Sequence, residues 1–152
     1  MAQEFDNSFK ELEQSVMDDM RTVYSEQTID HFLNPRNLGA MPAPDGFARV
    51  TGSCGDTMEI YLKVRDGTVM NVSFWTDGCG PSIASGSMIT EMAKQMNVKE
   101  AQRIGQHDVL AALGGLPEES QHCALLAANT LKEAIKNYLT FKREPWKRAY
   151  QT

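Results

Sequence analysis

Met58-Glu59-Ile60-Tyr61-Leu62-Lys63-Val64-Arg65-Asp66-Gly67-Thr68-Val69-Met70-Asn71-Val72-Ser73-Phe74-Trp75 is the stretch on which the fold turns. Met58, Ile60, Leu62 and Val64 alternate with Glu59, Tyr61, Lys63 and Arg65; past Asp66-Gly67, Met70, Val72 and Phe74 alternate with Asn71, Ser73 and Trp75. A period of two marks strands that bury one face. Asp-Gly between two such runs predicts a two-residue hairpin turn, with glycine supplying the positive φ of a type I′ turn. Phe47 to Thr51 can add a third strand, giving a three-stranded antiparallel sheet. Cys54 lies just before the first hairpin strand and Cys79 just after the second, so antiparallel pairing brings both to one end of the sheet.

Beyond Cys79 the period becomes helical. Gly80 and Pro81 open a helix whose Ile83, Ala84, Met88, Met92 and Met96 recur at helical spacing, which places Cys79 at a helix N-terminus. The methionines between residues 58 and 96 fit core positions better than a copper site. Two short helices follow, Val98 to Ile104 and Val109 to Leu113, ended by Gly105 and Gly114, with Asn97 and Asp108 in N-cap positions. The last helix begins near Pro117 and reaches about Tyr138, with Ala124, Ala127, Ala128, Leu131, Ile135 and Tyr138 on its apolar face and His122 and Cys123 on its first turns. Upstream, Tyr24 to Leu33 reads as a short helix capped by Ser25 and stopped before Asn34-Pro35; Pro35, Gly39, Pro42 and Pro44 make the stretch to Gly46 a loop. His31, on that short helix, is read as a packing or surface residue and left out of the site.

At the N-terminus, Phe5, Phe9, Leu12, Val16 and Met20 form the stripe of an amphipathic helix, which needs either the protein's own body or another subunit to cover it. Residues 1–20 carry Glu4, Asp6, Glu11, Glu13, Asp18 and Asp19 against Lys10, the reverse of a basic transit peptide. No apolar run approaches the ~18 residues of a membrane span, and no basic-then-apolar secretory signal opens the chain. The expected location is cytoplasmic. The formal net charge of −5 gives no attraction for phosphate backbones and argues against nucleic acid. A chain of 152 residues, 41% hydrophobic, closes one core. Lys142, Arg143, Lys147 and Arg148 surround Pro145 and Trp146 in what reads as a solvated C-terminal tail.

Gly52-Ser53-Cys54-Gly55-Asp56, Gly78-Cys79-Gly80 and Gln121-His122-Cys123 contain every cysteine in the chain. Three cysteines cannot all pair internally, which fits a reducing compartment with thiols free or bound to metal. Buried apolar filler is the ordinary role of a lone cysteine; three flanked by small residues, with Asp56 and His122 beside them, point instead to one soft-metal site. Zinc and iron–sulfur clusters both suit such donors, but the absence of a Cys-x2-Cys pair disfavours a zinc ribbon. With three thiolates, a [2Fe–2S] cluster would take its fourth ligand from His122, Asp56 or outside, and a hard carboxylate nearby suits release over storage. A Cys–His hydrolase is disfavoured, because neighbours on a helix do not face one another; Cys123 could still accept sulfane sulfur.

Tyr24-Ser25-Glu26, Asn34-Pro35-Arg36-Asn37, Cys54-Gly55-Asp56, Gly78-Cys79-Gly80-Pro81-Ser82-Ile83-Ala84-Ser85 and His122-Cys123 together resemble the iron–sulfur cluster assembly scaffold family, of the IscU and NifU N-terminal type. The resemblance covers about residues 24–140, leaving 1–23 as a helical extension and 141–152 as a tail. It implies an α+β fold, a three-stranded antiparallel sheet against helices, and a cluster site at one end. It implies Cys54, Cys79 and Cys123 as ligands to a [2Fe–2S] cluster or iron, with Asp56 and His122 in or near the coordination sphere and Cys123 as sulfur acceptor. Zinc at the same site, in a desulfurase-enhancing protein of SufU type, is the alternative. The implied partners are a cysteine desulfurase, an iron and electron donor and apo iron–sulfur proteins, with a homodimer left open; turnover as an enzyme is not implied. Leu116-Pro117-Glu118-Glu119-Ser120 stands where chaperone-recognised members carry Leu-Pro-Pro-Val-Lys, which counts against a Hsp70-type chaperone. No long insertion of the SufU branch separates Cys79 from His122, and no Cys-x-x-Cys domain follows, so a multi-domain NifU is not expected.

Overall fold

The computed structural model describes residues 1–150. Its elements, in order, are α1 (Ala2–Val23), α2 (Glu26–Leu33), β1 (Gly46–Thr51), β2 (Thr57–Arg65), β3 (Thr68–Thr76), α3 (Gly80–Ala93), α4 (Val98–Ala101), α5 (Gln106–Ala112) and α6 (Gln121–Arg143), with 3-10 turns at Glu118–Ser120 and Pro145–Tyr150. The sheet is antiparallel in the order β1-β2-β3. This is the α+β architecture, extra N-terminal helix included, that the hydrophobic pattern predicts.

The β2–β3 hairpin closes on Asp66 and Gly67, with φ of 53° and 75°, the two positive values a type I′ turn requires. Register slips at Lys63/Val64, so that Val64 pairs with Val69 while Lys63 pairs with Asn71. Met70 is the extra residue. A bulge of this kind reverses the facing of the residues beyond it, and the inward side chain is Val69, fully buried, where the alternation pointed to Met70, which is exposed. Elsewhere the pattern holds: Met58, Ile60, Leu62, Val72 and Phe74 are buried.

Both α3 and α6 pack on the inner face of the sheet, α6 across β1 and β2 and α3 across β3. From α6 come Ala124, Ala127, Ala128, Leu131, Ala134 and Ile135. The helix runs to Arg143, past the expected end near Tyr138, because Leu139 and Tyr138 still find apolar surface. Its extension carries the last residues back onto the body, where Arg148 donates to the Asp45 carbonyl at 3.1 Å and lies over the Phe141 ring. The tail is solvated as expected, its residues 145–150 all exposed, and it is at the same time folded into a 3-10 turn through Tyr150.

In α3 the buried residues are Ala84, Ile89 and Ala93 together with Ser82, Ser85, Ser87 and Thr90, whereas Ile83, Met88 and Met92 pack at the margin. The expected stripe is rotated. Small side chains permit close approach to the sheet, and a Cβ at Gly86 would collide with the Phe74 ring. Hydroxyls on a buried helix need partners: Ser85 and Thr90 donate to carbonyls one turn back, while Ser87 accepts from the Arg36 amide at 2.9 Å and sits 2.7 Å from His31 Nδ1. His31 is thus a packing residue, and the Asn34–Gly46 loop is held to the helix it crosses.

Caps follow the chemistry of their side chains. Ser25 accepts from the Thr28 amide and Asn97 from that of Lys99. Asp108 does not cap; α5 starts three residues earlier than expected, at Gln106, and Asp108 in its first turn accepts from the Gly105 amide at 2.9 Å. Glycine at the cap leaves that task to the carboxylate.

α1 buries none of its residues. Phe5, Phe9, Leu12 and Val16 are exposed along one side of it, so the protein's own body does not cover the stripe.

Candidate functional site

Three chain reversals meet at one end of the sheet. Thr57 and Asp77 join the ends of β2 and β3, the Thr57 amide donating to Asp77 Oδ1 at 2.8 Å. Asp56 precedes that link and Cys79 follows it. Cys79 is the N-cap of α3, with Pro81 in the first turn; the chain therefore leaves the sheet and enters the helix at the cysteine. The N-terminal end of α6 arrives from the other side carrying His122 and Cys123.

The result is a compact trio: ligand atoms of Asp56, Cys79 and Cys123 all lie within 4.8 Å of one another. They differ in exposure. Cys79 faces solvent, Asp56 is half-buried and Cys123 is 1% exposed. Burial pushes the Cys123 thiol up to about 11; Ser82 pulls the other way, and negative charge on Cys79, Cys54 and Asp56 adds to the rise. Like-charged donors crowded without a counter-ion resist ionising together, and a cation bound among them would reverse that balance.

Cys54 is not one of the trio. It sits exposed in a turn closed by the Gly55 amide on the Gly52 carbonyl at 3.1 Å, with Gly55 at φ 90°. That turn carries the sulfur outward while Asp56, two residues on, points in. Antiparallel pairing brings Cys54 to the correct end of the sheet, but the turn sets where its side chain goes. His122 is half-buried, and its Nε2 stands 3.7 Å from Cys123 Sγ. The expectation that these helix neighbours would turn away from each other is corrected: at the first residues of a helix both side chains reach the same rim.

Sequence reasoning passed over Ser82. Its buried hydroxyl lies 3.0 Å from Asp56 Oδ2 and 3.3 Å from Cys123 Sγ. The signal available was its place three residues after Cys79, which puts both on one side of the helix start. Beside the site, Met20, Tyr24, Ile29, Phe32 and Pro81 line an apolar groove of about 330 Å³ that opens onto Cys79.

Two soft thiols and one hard carboxylate around a space of this size suit iron or zinc and leave room for a further donor. Comparison with known proteins shows the family of the chain. The NifU-like N-terminal domain family model matches residues 23–144, and the chain belongs to this iron–sulfur cluster assembly scaffold family. It is 46% identical over 117 residues to iron–sulfur cluster assembly scaffold protein IscU 1 of Archaeoglobus fulgidus, covering 76% of each chain. It is 42% identical over 126 residues to Escherichia coli IscU, covering 80% of this chain and 97% of the relative. Nitrogen fixation protein NifU of Azotobacter chroococcum is 39% identical, but this chain spans only 38% of its length. Among solved structures, the N-terminal NifU-like protein of Brucella abortus superposes with a TM-score of 0.62 at 23% identity, over 78% of this chain and 95% of that one, which bears on fold alone.

Proposed function

We propose that this protein is a scaffold on which a [2Fe–2S] cluster is built and from which it is passed to apo-proteins, without turnover of its own. The observation that carries the reading is the meeting of Asp56, Cys79 and Cys123 at one end of the sheet, Cys79 open to solvent and Cys123 beneath it, with His122 beside Cys123. The cluster is cargo. Cys54, Cys79 and Cys123 supply thiolates, and His122 or Asp56 supplies the fourth position. A carboxylate bonds a ferric–sulfide unit less firmly than a fourth thiolate would, so a site with Asp56 in it gives its cargo up more readily.

Assembly needs sulfur, iron and electrons. In the proposed route a thiolate of this chain attacks the outer sulfur of a persulfide on a cysteine desulfurase; a new S–S bond forms here and the desulfurase cysteine leaves as thiolate. Two electrons from a separate donor reduce that sulfur to sulfide. The relatives are iron–sulfur cluster assembly scaffold proteins, which supports a cluster assembly role, and a cytoplasmic location fits the bacterial and archaeal ones. Cys123, the acceptor suggested by resemblance, must be uncovered to meet a persulfide, whereas Cys79 is open to it.

Anaerobic reconstitution with iron and sulfide tests the reading. Wild-type protein is expected to acquire a visible [2Fe–2S] chromophore, and Asp56→Ala to hold it longer under air. Equal decay of the two proteins would remove Asp56 from the release mechanism; failure to form a chromophore would remove the scaffold role. A zinc-bound sulfur-transfer protein is the second reading, favoured by the compactness of the trio, since three donors within 4.8 Å can also close on a single divalent ion. Zinc retained through reconstitution, with no iron taken up, would establish it.

A further inference from the structure

We propose that Ser82 is a positioning residue that holds Asp56 and Cys123 in register for metal. Its hydroxyl is fully buried and stands between the Asp56 carboxylate, at 3.0 Å, and the Cys123 sulfur, at 3.3 Å. Those two groups come from different parts of the chain, the end of the Cys54 turn and the start of α6, and no backbone ladder joins them. Ser82 belongs to neither. It projects from the first turn of α3, a buried and well-anchored helix, and so references both donors to the rigid part of the fold.

The surrounding residues are arranged to keep this contact. A Cβ on Gly78 would stand 2.6 Å from Ser82 Oγ and 2.8 Å from Asp56 Oδ2, inside contact distance of both partners. Glycine at 78 therefore leaves the volume through which hydroxyl and carboxylate meet. A single hydroxyl proton serves one acceptor at a time. When a metal takes Cys123 as thiolate and one carboxylate oxygen of Asp56, the hydroxyl can stay on the carboxylate and fix its orientation. Partners that orient ligands in this way are worth about 10–100-fold in metal affinity.

The inference rests on the reading that Asp56, Cys79 and Cys123 hold metal, and cobalt(II) tests the two separately because it binds without any cluster. Apo-protein is titrated with cobalt(II) under argon, following the sulfur-to-cobalt charge-transfer absorption and the visible bands of tetrahedral cobalt. Wild type is expected to bind with thiolate absorption. Ser82→Ala is expected to lower the affinity about 10-fold with the thiolate absorption at saturation unchanged. In an Asp56→Ala background, adding Ser82→Ala is expected to change the affinity by less than about twofold, because the group that Ser82 orients is gone. Gly78→Ala, whose added Cβ would stand 2.6 Å from Ser82 Oγ and push the hydroxyl off the carboxylate, is expected to reproduce the loss. It stands as the reporter should Ser82→Ala fail to fold by circular dichroism. Equal losses with and without Asp56, or wild-type affinity in both Ser82→Ala and Gly78→Ala, would overturn the proposal while leaving the metal site intact. A wild type that gives no thiolate absorption with cobalt would overturn the site itself.

Discussion

His122 Nε2 and Cys123 Sγ, on consecutive residues of one helix, stand 3.7 Å apart. His122 is the second residue of α6, which follows directly on the 3-10 turn Glu118–Ser120, and its ring reaches the rim that Cys123 occupies from inside. For a single divalent ion this makes His122 the nearest candidate for the position left open by the trio. His122→Ala is expected to weaken zinc binding by at least about tenfold, and Cys54→Ser by less, measured by competition with a chromophoric chelator. For a reconstituted cluster, which needs every soft donor, the order is expected to invert.

The three thiols are expected to react in order of exposure. Cys54 and Cys79 are open to solvent, while Cys123 is buried and its thiol is held up at about 11, so at neutral pH it is almost wholly protonated. Brief treatment of metal-free protein with iodoacetamide, followed by peptide mass mapping, should show Cys54 and Cys79 alkylated well before Cys123. Labelling of Cys123 as fast as its neighbours would mean that the rim opens freely in solution.

Acid should weaken the fold through His31. Burial against Ser87 lowers its pKa below the ordinary 6.5, the Arg36 cation adds to the effect, and Asp30 and Glu91 only partly oppose it. The sign follows from linkage: the unfolded chain takes up the proton first, so stability is full above about 6.5 and is lost as pH falls from there toward the lower folded value. Urea midpoints of the metal-free protein should drop on going from pH 7 to pH 5. His31→Gln should flatten that slope at a cost of about 1 kcal/mol for the altered hydrogen bond.

Gly86 should tolerate no side chain. A Cβ there would collide with the Phe74 ring, itself fully buried. Gly86→Ala is expected to destabilise by about 1–3 kcal/mol, lowering the melting temperature by roughly 2–4 °C for each kcal/mol in a chain of this size. A melting temperature equal to that of wild type would show that the helix can lift from the sheet.

Removing residues 1–18 should do the opposite of removing a core element. No residue of α1 is buried, and its apolar stripe faces solvent. The truncated protein should melt within about 2 °C of the full chain, since surface changes away from packed features stay within about 0.5 kcal/mol. A large drop would place α1 against the body in solution.

Which parts of this were legible beforehand depended on range. Ser25 and Asn97 cap their helices as read, because a cap is decided by a side chain and the amides two or three residues away. Asp108 looks like a cap in the sequence and is not one, because the actual cap, Gly105, offers no side chain to signal itself. Alternation points Met70 inward because it assumes an unbroken ladder, and nothing local announces the slip at Lys63/Val64. The inner stripe of α3 differs from the one its hydropathy predicts because its buried residues are serine and threonine as much as alanine and isoleucine, and a hydropathy pattern does not see a hydroxyl satisfied one turn back.

Alternation about Asp66-Gly67 is enough by itself to set the β2–β3 hairpin and to bring Cys54 and Cys79 to one end of the sheet, since pairing across a two-residue turn admits a single register near the turn. What only the tertiary structure decided is how the donors share that edge: Cys54 outward on its turn, Cys123 sealed beneath the rim, His122 beside it and Ser82 between carboxylate and thiol. The physical reason is that periodicity tells which way a side chain faces along its own element. The separation of atoms carried by different elements is set by how α3 and α6 pack against the sheet, and that packing is written in contacts distant along the chain.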